Sequence, residues 1–508
     1  MEHLPQFPES YWLSSVELSR FPKLRENIEV DVTIVGGGIT GITSAYVLAK
    51  EGYQVALIDA GQLFHGTTGH TTAKITAQHG LIYDELIAHF GEEQARLYYE
   101  AQTEAKQFIE QTVKELNIDC SLQKEDAYIF TQEPSSVEKI EKEALAYEKL
   151  GIEGGITQTI DLPLNIKTAI VMKNQAQFHP PLYLKKLVAE IEAMGGQIFE
   201  ETVAVDIVEG RKPEVVMRDG LRVISEHVIC ATHFPFYDGL GQGAFFTRMY
   251  PERAYVLAVK TEASFPGGMY LSAENPSRSL RQVALGEEKY VLVAGENHKI
   301  GKGEPAISHY EVLAEFGKEA LGIKEIAYRW SVQDLTTVDK VPYIGRLTDK
   351  KGNIFVATGF RKWGMTNSTV SALLIKDLIA AKENRFEPLF RPSRFVADPS
   401  LKTFIQQNAD VAKHFIRGKL DIVPTTIEKL ANDDAGIVLV NGKRAGAYKD
   451  KEGNIHIVET KCQHLGCEVE WNSLESTWDC PCHGSRYGID GEVYEGPAKK
   501  ALKRVENK

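Results

Sequence analysis

Cysteine is scarce in this chain, and long apolar runs are missing. There are 6 cysteines among 508 residues, and only Cys120 and Cys230 lie outside a short stretch near the C-terminus. A secreted disulfide framework would spread its cysteines along the chain, so that class is disfavoured. No apolar run reaches the roughly 20 residues that span a bilayer, and residues 1–8 lack the basic segment and apolar core of an export signal. We therefore expect a cytoplasmic protein without a transmembrane segment.

The chain also lacks an excess of positive charge. Its 58 Lys and Arg residues stand against 70 Asp and Glu residues, which gives a net charge of -12. Proteins that bind nucleic acid usually present a basic surface, so we expect no nucleic-acid partner. At roughly 150 residues per domain, the length allows two or three domains.

The C-terminal cysteines lie beside histidines in two short segments. Cys462 precedes His464 by two positions, and Cys480 precedes His483 by three. Two thiolates and two imidazoles are the ligand set of a Rieske [2Fe–2S] centre, in which cysteines hold one iron and histidines the other. The alternative is a structural zinc site. Zinc fingers usually separate cysteine pairs from histidine pairs, whereas each segment here holds one of each, so the pattern favours one-electron transfer.

The whole stretch resembles the Rieske family, because it contains both Cys-x-His-Leu-Gly-Cys and Cys-Pro-Cys-His-Gly-Ser. The resemblance implies an all-β domain over residues 421–508, in which Asn441-Gly442 is typical of a hairpin turn. It also implies a Cys467–Cys482 disulfide, a proline loop at 496–498 that covers the cluster, and hydroxyl groups of Ser485 and Tyr487 that donate to cluster sulfurs. Such donors stabilise the reduced cluster, so we expect a potential in the upper part of the Rieske range.

A dinucleotide-binding fingerprint follows the first apolar strand. Residues 30–35 read as a buried strand, and Gly36, Gly38 and Gly41 then supply a tight turn, a close approach to a pyrophosphate, and helix-on-strand packing. A helix to Lys50 and a second strand follow, and that strand ends at Asp59, where an acid that binds ribose is expected, with Ala60 beside it. The alternative, a chance Gly-rich turn, lacks these flanking elements.

The segments around this fingerprint and around residue 340 resemble the glycine oxidase, sarcosine oxidase and D-amino-acid oxidase family of flavoenzymes. The likeness covers roughly residues 25–385, and its second part rests on residues 339–345 and 353–366. It implies FAD as the cofactor. Helix N-terminal amides in this family stabilise the negative charge on reduced flavin, and the implied contacts with the flavin ring are Gly359, Gly364, Met365 and Thr366.

The resemblance also predicts the domain organisation. An α/β Rossmann-like FAD-binding domain is expected from parts 28–115, 180–235 and 336–388, with an α+β substrate subdomain from 116–179 and 236–335, all within 25–390. A linker helix at 391–420, with Asp398 as N-cap before Pro399, would join it to the Rieske domain. Residues 239–243 are rich in glycine but lack a strand before and an acid after, so a nicotinamide site is not expected.

Residues 66–70 match the Gly-Ser/Thr-Thr-x-His stretch that relatives with covalently attached flavin possess. Thr67 and Thr68 are therefore expected to contact the cofactor, and His70 is a candidate for covalent attachment to the flavin and for a catalytic role. The alternative is that His70 lines the flavin or caps a local turn.

One departure from the family pattern concerns the substrate. Amino-acid oxidases of this family carry an Arg that grips the substrate carboxylate, and Asp334 occupies that position here. An acid repels a carboxylate and attracts an ammonium group. We therefore expect a small-molecule amine or N-alkyl amine as substrate, with Asp334 as a catalytic candidate, unless Arg329, Arg253 or Arg361 replaces the missing clamp.

These parts predict an FAD-dependent dehydrogenase that oxidises a C–N bond and passes electrons singly through the cluster to an external acceptor, a protein or a quinone. The alternative is an electron-transfer protein that feeds a partner oxygenase or reductase and has no small substrate of its own. A redox sensor is a third class. The substrate subdomain, roughly 200 residues, disfavours a pure carrier, because electron transfer alone does not require that volume.

Overall fold

The computed structural model describes residues 4–5, 8–238, 243–285, 288–300, 306–395, 400 and 425–506. Asp398, Pro399 and most of the predicted linker helix lie outside the described residues, as does most of the glycine cluster at 239–243.

Strands and helices alternate through the first two thirds of the chain, and short strands make up the C-terminal part. The strands are β1 Ile28–Val35, β2 Val55–Ile58, β3 Lys74–Ile75, β4 Gln123–Thr131, β5 Gly154–Thr157, β6 Thr168–Gln177, β7 Gln197–Phe199, β8 Ala204–Val208, β9 Glu214–Met217, β10 Arg222–Cys230, β11 Met249–Thr261, β12 Met269–Ser272, β13 Arg278–Leu285, β14 Glu288–Lys299, β15 Ile323–Thr337, β16 Tyr343–Arg346, β17 Ile354–Thr358, β18 Asp434–Val440, β19 Lys443–Lys449, β20 Ile455–Val458, β21 Glu470–Asn472, β22 Thr477–Asp479, β23 Arg486–Tyr487 and β24 Val493–Glu495. The α-helices are α1 Tyr11–Ser14, α2 Ile39–Lys50, α3 Tyr83–Phe90, α4 Glu92–Glu115, α5 Val137–Leu150, α6 Pro180–Ala193, α7 Phe245–Arg248, α8 Ala306–Leu321, α9 Gly364–Ile379 and α10 Glu387–Phe390. Short 3₁₀ helices occupy Thr67–His70, Pro134–Ser136 and Ile427–Lys429.

An eight-stranded sheet forms the centre of the first domain. Its main order is β16-β17-β10-β1-β2-β7, and β1 pairs in parallel with both β10 and β2. The continuous apolar sequences of β1 and β2 fit strands that are covered on both faces, and every residue of β2 is buried. Helix α2 packs against α6 and α9, and the hydroxyl groups of Thr40 and Ser368 join α2 to α9 at 2.8 Å. This is the α/β Rossmann-like arrangement that the sequence predicts.

A nine-stranded, largely antiparallel sheet occupies most of the region predicted to be the substrate subdomain. Its main order is β15-β11-β14-β13-β12-β4-β6-β3, and β5 pairs with β6. Helix α8 packs against β14 and β11. One strand departs from the predicted division, because β3 falls within the part 28–115 assigned to FAD binding but pairs with β6 of this sheet. A strand of two residues is too short to produce a periodic pattern, so it could not be predicted from the sequence.

The C-terminal region consists of two small antiparallel sheets, β18-β19-β20 and β21-β22-β23-β24. Asn441 and Gly442 form the turn between β18 and β19, with φ angles of 52° and 74°. Both angles lie in the left-handed region that a two-residue hairpin turn requires. Trp478 is fully buried and contacts the backbone at Gly446, where an added Cβ would lie 2.6 Å from the indole ring. The two sheets therefore share one packed region.

Candidate active site and cluster site

Two of the fingerprint glycines lie where one segment of backbone closely approaches another. Gly36 has a φ of 114°, and a Cβ there would lie 2.4 Å from the carbonyl oxygen of Ala231. A Cβ on Gly41 would lie 1.9 Å from the carbonyl oxygen of Gly36. Only glycine fits either position without a backbone shift. The end of β1 therefore passes tightly into α2, whose N-terminus favours an anionic group.

Asp59 lies beside this turn at the end of β2. Its Oδ2 accepts the N–H of Gly37 at 2.7 Å, and its Oδ1 accepts the N–H of Gly61 at 2.7 Å. Burial raises the pKa of Asp59, although these two hydrogen bonds act in the opposite direction. The position is that of the acid that binds a ribose hydroxyl in dinucleotide folds.

One large cavity of about 910 Å³ runs from this turn to the substrate sheet. A volume of this size suits a cofactor and a small substrate together. The cavity contains eight of the predicted cofactor contacts: Gly36, Gly38, Asp59, Ala60, Thr67, Thr68, Gly364 and Met365. Thr68 also accepts the N–H of Ile39 at 3.0 Å, which ties the 3₁₀ helix to the start of α2. The backbone turn, the acid and the cavity volume fit a bound dinucleotide.

Three other predicted cofactor contacts do not line this cavity. Gly41 packs against Gly36, as described above. Gly359 has a φ of 78°, and a Cβ there would lie 2.4 Å from the Thr337 side chain, so this glycine serves the turn after β17. The hydroxyl of Thr366 donates to the carbonyl of Thr76 at 3.2 Å and faces the protein interior. These contacts lie within the protein, and the cofactor contacts of Gly359 and Thr366 stay predictions.

His70 makes a contact within its own loop. It ends the 3₁₀ helix, and its Nδ1 lies 2.9 Å from the carbonyl oxygen of Gly66. Gly66, Thr67, Thr68, Thr71 and Thr72 line the cavity, whereas His70 does not. Burial lowers its pKa. The motif thus locates a loop of the cavity wall, and the Nδ1 contact fits the alternative in which His70 caps a local turn. Flavin attachment and a catalytic role for His70 stay predictions.

Asp334 does line the cavity. It lies on β15 opposite Glu252 of β11 and is 5% exposed. Burial raises its pKa, while the charges of His233 and Lys362 oppose that shift. A carboxyl group is therefore available in the cavity wall at the position where relatives carry an arginine.

Of the three arginines that could replace the missing clamp, only Arg361 reaches the cavity. Its Nη2 donates to the carbonyl of His79 at 2.6 Å. Arg329 donates to the carbonyl of Pro5 at 2.6 Å, and Arg253 binds Asp479 at 2.7 Å. The two latter guanidinium groups are used for interdomain or terminal contacts and do not form a carboxylate clamp in the cavity.

The four predicted cluster ligands converge in the C-terminal domain. The imidazole rings of His464 and His483 lie 4.9 Å apart between centroids. A hydrogen bond with Cys480 lowers the pKa of Cys462 to about 6. Burial lowers the pKa of His464 to about 4 and that of His483 to about 3, so both rings are neutral, the form that binds a metal. His464 Nδ1 is buried and finds no hydrogen-bond partner among the described residues, as expected of an atom whose natural partner is an iron.

The remaining predicted residues of this domain surround the ligands. Cys467 and Cys482 are joined by a disulfide with an S–S distance of 2.05 Å. The hydroxyl of Tyr487 lies 3.2 Å from the sulfur of Cys462. The hydroxyl of Ser485 accepts the N–H of Ala498 at 3.2 Å, which holds the 496–498 loop next to the ligand loops. The donor set and its surroundings therefore fit a [2Fe–2S] cluster.

The cluster domain lies directly against the cavity. Residues 493–499 form part of the cavity wall, together with the fingerprint and Asp334. On the same side of the domain, Phe246 contacts both ligand imidazoles, with centroid distances of 5.7 Å to His464 and 6.0 Å to His483. His483 is consequently only 6% exposed.

Buried ionic and polar contacts join the two domains, and no motif in the sequence predicts them. Arg253 binds Asp479 at 2.7 Å, with side-chain exposures of 6% and 13%. Burial alone would raise the pKa of Asp479, but the guanidinium groups of Arg253 and Arg486 outweigh it and hold this pKa well below its usual range. Gln333 donates to the carbonyl of Gly484 at 2.9 Å, and Lys499 donates to the carbonyl of Val205 at 3.0 Å.

Comparison with known proteins agrees with this architecture. The protein-family model described as FAD dependent oxidoreductase matches residues 31–378. The chain belongs to this family. The model of the Rieske [2Fe-2S] domain matches residues 423–506. The predictions of an FAD-dependent oxidoreductase, of a C-terminal all-β Rieske domain and of both prosthetic groups are therefore confirmed.

Relatives of this FAD-dependent oxidoreductase include proteins with and without the second domain. The chain is 52% identical to the Rieske iron–sulfur protein YhfW of Bacillus subtilis over 98% of both chains. It is 23% identical to gamma-glutamylputrescine oxidoreductase of Escherichia coli over 76% of this chain and 92% of that protein. The crystal structure of glycine oxidase from Geobacillus kaustophilus matches 73% of this chain and 100% of its own, with a TM-score of 0.60 and 18% identity, a likeness of fold. None of the described helices combines the length and hydropathy needed to cross a bilayer.

Proposed function

We propose that this protein is a dehydrogenase that oxidises an amine or N-alkyl amine at FAD and delivers the electrons one at a time, through its Rieske cluster, to an external acceptor. The observation that carries the proposal is the shared cavity. The loop 493–499 of the cluster domain, the dinucleotide fingerprint and Asp334 all line it. A substrate in this cavity would therefore lie close to both prosthetic groups.

Different residues around the cavity would bind different parts of FAD. The turn at Gly36 and Gly38 and the N–H groups at the start of α2 would hold the pyrophosphate. Gly364 and Met365 begin α9 and present a helix N-terminus to the cavity, a position that favours negative charge. FAD, when bound, supplies an acceptor for hydride from a C–H bond next to nitrogen and can release electrons singly.

Three observations favour an amine over a simple amino acid. Asp334 stands at the position of the carboxylate-binding arginine, Arg253 binds Asp479, and Arg329 lies outside the cavity. Arg361 does line the cavity, but its Nη2 donates to the carbonyl of His79. Within the described residues, the wall near Asp334 instead contains Glu252, which is held by Thr336 at 3.1 Å. The relative from Escherichia coli is named for a putrescine derivative, which is consistent with a cationic nitrogen in the substrate.

Anaerobic mixing tests this proposal. Butylamine, N-methylbutylamine, putrescine, sarcosine, NADH and NADPH are added separately, while flavin absorbance and the rhombic EPR signal of the reduced cluster are followed. We expect an amine to bleach the flavin and the EPR signal to grow afterwards. Reduction by NADH or NADPH alone would instead favour the electron-carrier function, and no reduction by any compound would reject the amine dehydrogenase.

The role of Asp334 is tested with Asp334→Asn. Loss of its charge should weaken the binding of the reducing amine about tenfold or more, because an ammonium group loses an ionic partner in a buried wall. Asp349→Asn, at an exposed position, is the matched control and should bind the amine like the natural protein. Unchanged amine affinity in Asp334→Asn would remove the argument for a cationic substrate.

A further inference from the structure

Lys74 is a buried cation that the proposed function does not yet use. It begins β3, immediately after the 3₁₀ helix and the cavity-lining residues Thr71 and Thr72. The chain passes here from the cofactor loop to the substrate sheet, where β3 pairs with β6. Lys74 itself lines the cavity. Its side chain therefore lies where the cofactor half and the substrate half of the cavity meet.

The surroundings of Lys74 do not stabilise a positive charge. Its Nζ donates to the carbonyl of Tyr270 on β12 at 3.1 Å, and the residue is 9% exposed. Among the described residues, no carboxylate lies within ion-pair distance of Nζ. Gln177, its neighbour on β6, is neutral, and the charged group that acts on it is another cation, Arg281 of β13. A buried charge without a partner is costly, so this lysine contributes poorly to stability.

Arg281 also fixes the position of Lys74. Its Nη1 donates to the carbonyl of Ala73 at 2.6 Å, and its guanidinium group lies 5.5 Å from the ring of Trp12. Burial lowers the pKa of Arg281, and the charges of Tyr11 and Glu125 oppose that shift. The pKa shift of Lys74 has burial and Arg281 as its causes. The backbone before Lys74 is therefore held in place at the part of the cavity wall that Lys74 lines.

We propose that the side-chain amine of Lys74 is the base that removes the proton from the substrate ammonium group, an inference that rests on the proposed amine oxidation. An N–H bond of the ammonium breaks and an N–H bond forms on Nζ. The lone pair thus freed on the substrate nitrogen then assists departure of hydride from the adjacent carbon to FAD, the oxidant. The substrate becomes an iminium ion, water hydrolyses it, and Nζ returns its proton to water in the cavity.

The electrostatics of the site support this role. Burial, reinforced by Arg281, lowers the pKa of Lys74 to about 7, so a large share of the amine is neutral at neutral pH. A general base is most effective when its pKa lies near the working pH. Asp334, on β15 of the cavity wall, would attract the cationic substrate, and Lys74 would then deprotonate it. The two residues thus have separate tasks.

The pH dependence of flavin bleaching gives the sharpest test. Butylamine, N-methylbutylamine and putrescine are used below saturation, under anaerobic conditions. With Lys74 as base, the rate constant should rise with pH to about 7 and then level off, because the amine reacts as its ammonium form. Without a base only free amine reacts, and the logarithm of the rate should climb with unit slope toward the amine's own pKa, near 10. Lys74→Met should follow this second profile and be about 100-fold slower at pH 7.

Lys74→Arg separates a base from a fixed charge. Arginine keeps the positive charge but does not lose its proton, so this variant should be as slow as Lys74→Met. Retention of the natural rate by Lys74→Arg, or of the plateau near pH 7 by Lys74→Met, would overturn the proposal. Lys350→Met, at an exposed position, is the control. The FAD content and cluster EPR signal of each variant report whether it has folded.

A second measurement does not depend on any substrate. Reductive methylation of the full chain with ¹³C-formaldehyde labels lysine amines, and the signal missing from Lys74→Met identifies Lys74. We expect this signal to titrate near pH 7, whereas titration above about pH 10, the ordinary range for lysine, would overturn the proposal. If none of the amines bleaches the flavin, the proposed function fails, and the titration still decides whether Lys74 is a neutral base.

Discussion

The FAD site and the cluster site are assembled over very different stretches of sequence. The cavity draws residues from Val35 to Ser368 and again from 493–499, and these belong to two sheets and several loops. The cluster ligands come from two loops, 462–467 and 480–485, that face each other within one small domain. The first site therefore depends on the packing of the whole flavoprotein, whereas the second depends on local geometry and one disulfide.

This difference predicts which substitutions should affect FAD binding and which should affect the cluster. A change at a backbone contact in the flavoprotein should remove FAD and leave the cluster ligands in place. A change in the ligand loops should affect the cluster and leave FAD bound. Only the contacts between the domains should affect both sites together. The following predictions run from the largest expected effect to the smallest.

Gly41→Ala should abolish FAD binding. The added Cβ would lie 1.9 Å from the carbonyl oxygen of Gly36, so the turn and α2 must move apart. We expect the FAD content of the purified protein to fall more than about tenfold, measured by flavin absorbance after denaturation. Gly352→Ala, where an added Cβ meets nothing within 4 Å, is the control. Loss of the cluster EPR signal together with FAD in Gly41→Ala would break the distinction between the two sites.

Asp479→Asn tests the joint between the domains. Removing one partner of a buried ion pair leaves Arg253 uncompensated and costs about 3 to 5 kcal/mol. We expect the visible circular dichroism of the cluster to be lost at a lower temperature, with a loss of FAD at the same point. Asp434→Asn, exposed in the same domain, should unfold like the natural protein.

The same residue predicts an acid dependence. The folded-state pKa of Asp479 is held far below its unfolded value of about 4 by Arg253 and Arg486. Its contribution to stability is therefore complete above pH ~4 and is lost as the pH falls below that value. Unfolding temperatures measured between pH 7 and pH 3 should show a smaller acid decline in Asp479→Asn than in the natural protein. Identical declines would mean that the ion pair of Asp479 with Arg253 does not stabilise the contact between the two domains.

Cys482→Ser should destabilise the cluster domain alone. The disulfide closes a loop with a sequence separation of 15, and a loop of this length contributes about 3 kcal/mol. We expect cluster bleaching at a lower urea concentration, with the FAD content unchanged. The double variant Cys467→Ala/Cys482→Ala should behave like the single one, because the bond is already absent. A loss of FAD in either variant would show that the cluster site is less local than its ligand loops indicate.

Tyr487→Phe should change the cluster potential without changing its stability greatly. The hydroxyl 3.2 Å from the sulfur of Cys462 stabilises the reduced cluster. A hydrogen bond worth about 1 kcal/mol corresponds to about 40 mV for one electron, so the midpoint should fall by about this amount in an EPR-monitored titration. Tyr448→Phe, whose hydroxyl binds Asp433, is the control. An unchanged midpoint in Tyr487→Phe would exclude the hydroxyl as a tuning group.

The same contrast explains what the sequence could reveal. The fingerprint and the cluster ligands are encoded within short segments, so spacing and residue type sufficed to predict them. Arg253 and Asp479 are separated by 226 positions, and no periodicity relates a strand of one sheet to a strand of another domain. The orientation of side chains was equally hidden, because a motif fixes the loop that contains His70 but not the direction of its ring.

Lys74 shows a further limit of sequence reasoning. It lies between Ala73 and Ile75 in a strand of two residues, and nothing in the surrounding pattern distinguishes it from a surface lysine. Only the tertiary structure surrounds it with Tyr270 and Arg281. Asp334 differs from Lys74, because the family motif carries an arginine at position 334 and so the sequence alone indicates that this residue is unusual.

The wall formed by residues 493–499 bears on how the protein matures. The strands that shape the dinucleotide turn are complete by Thr358, yet one part of the cavity wall comes from a loop more than a hundred residues downstream. A nascent chain that has released only the flavoprotein part from the ribosome therefore still has an open cofactor pocket. The part of the chain that is synthesised last thus supplies one portion of the wall around the site of the other prosthetic group.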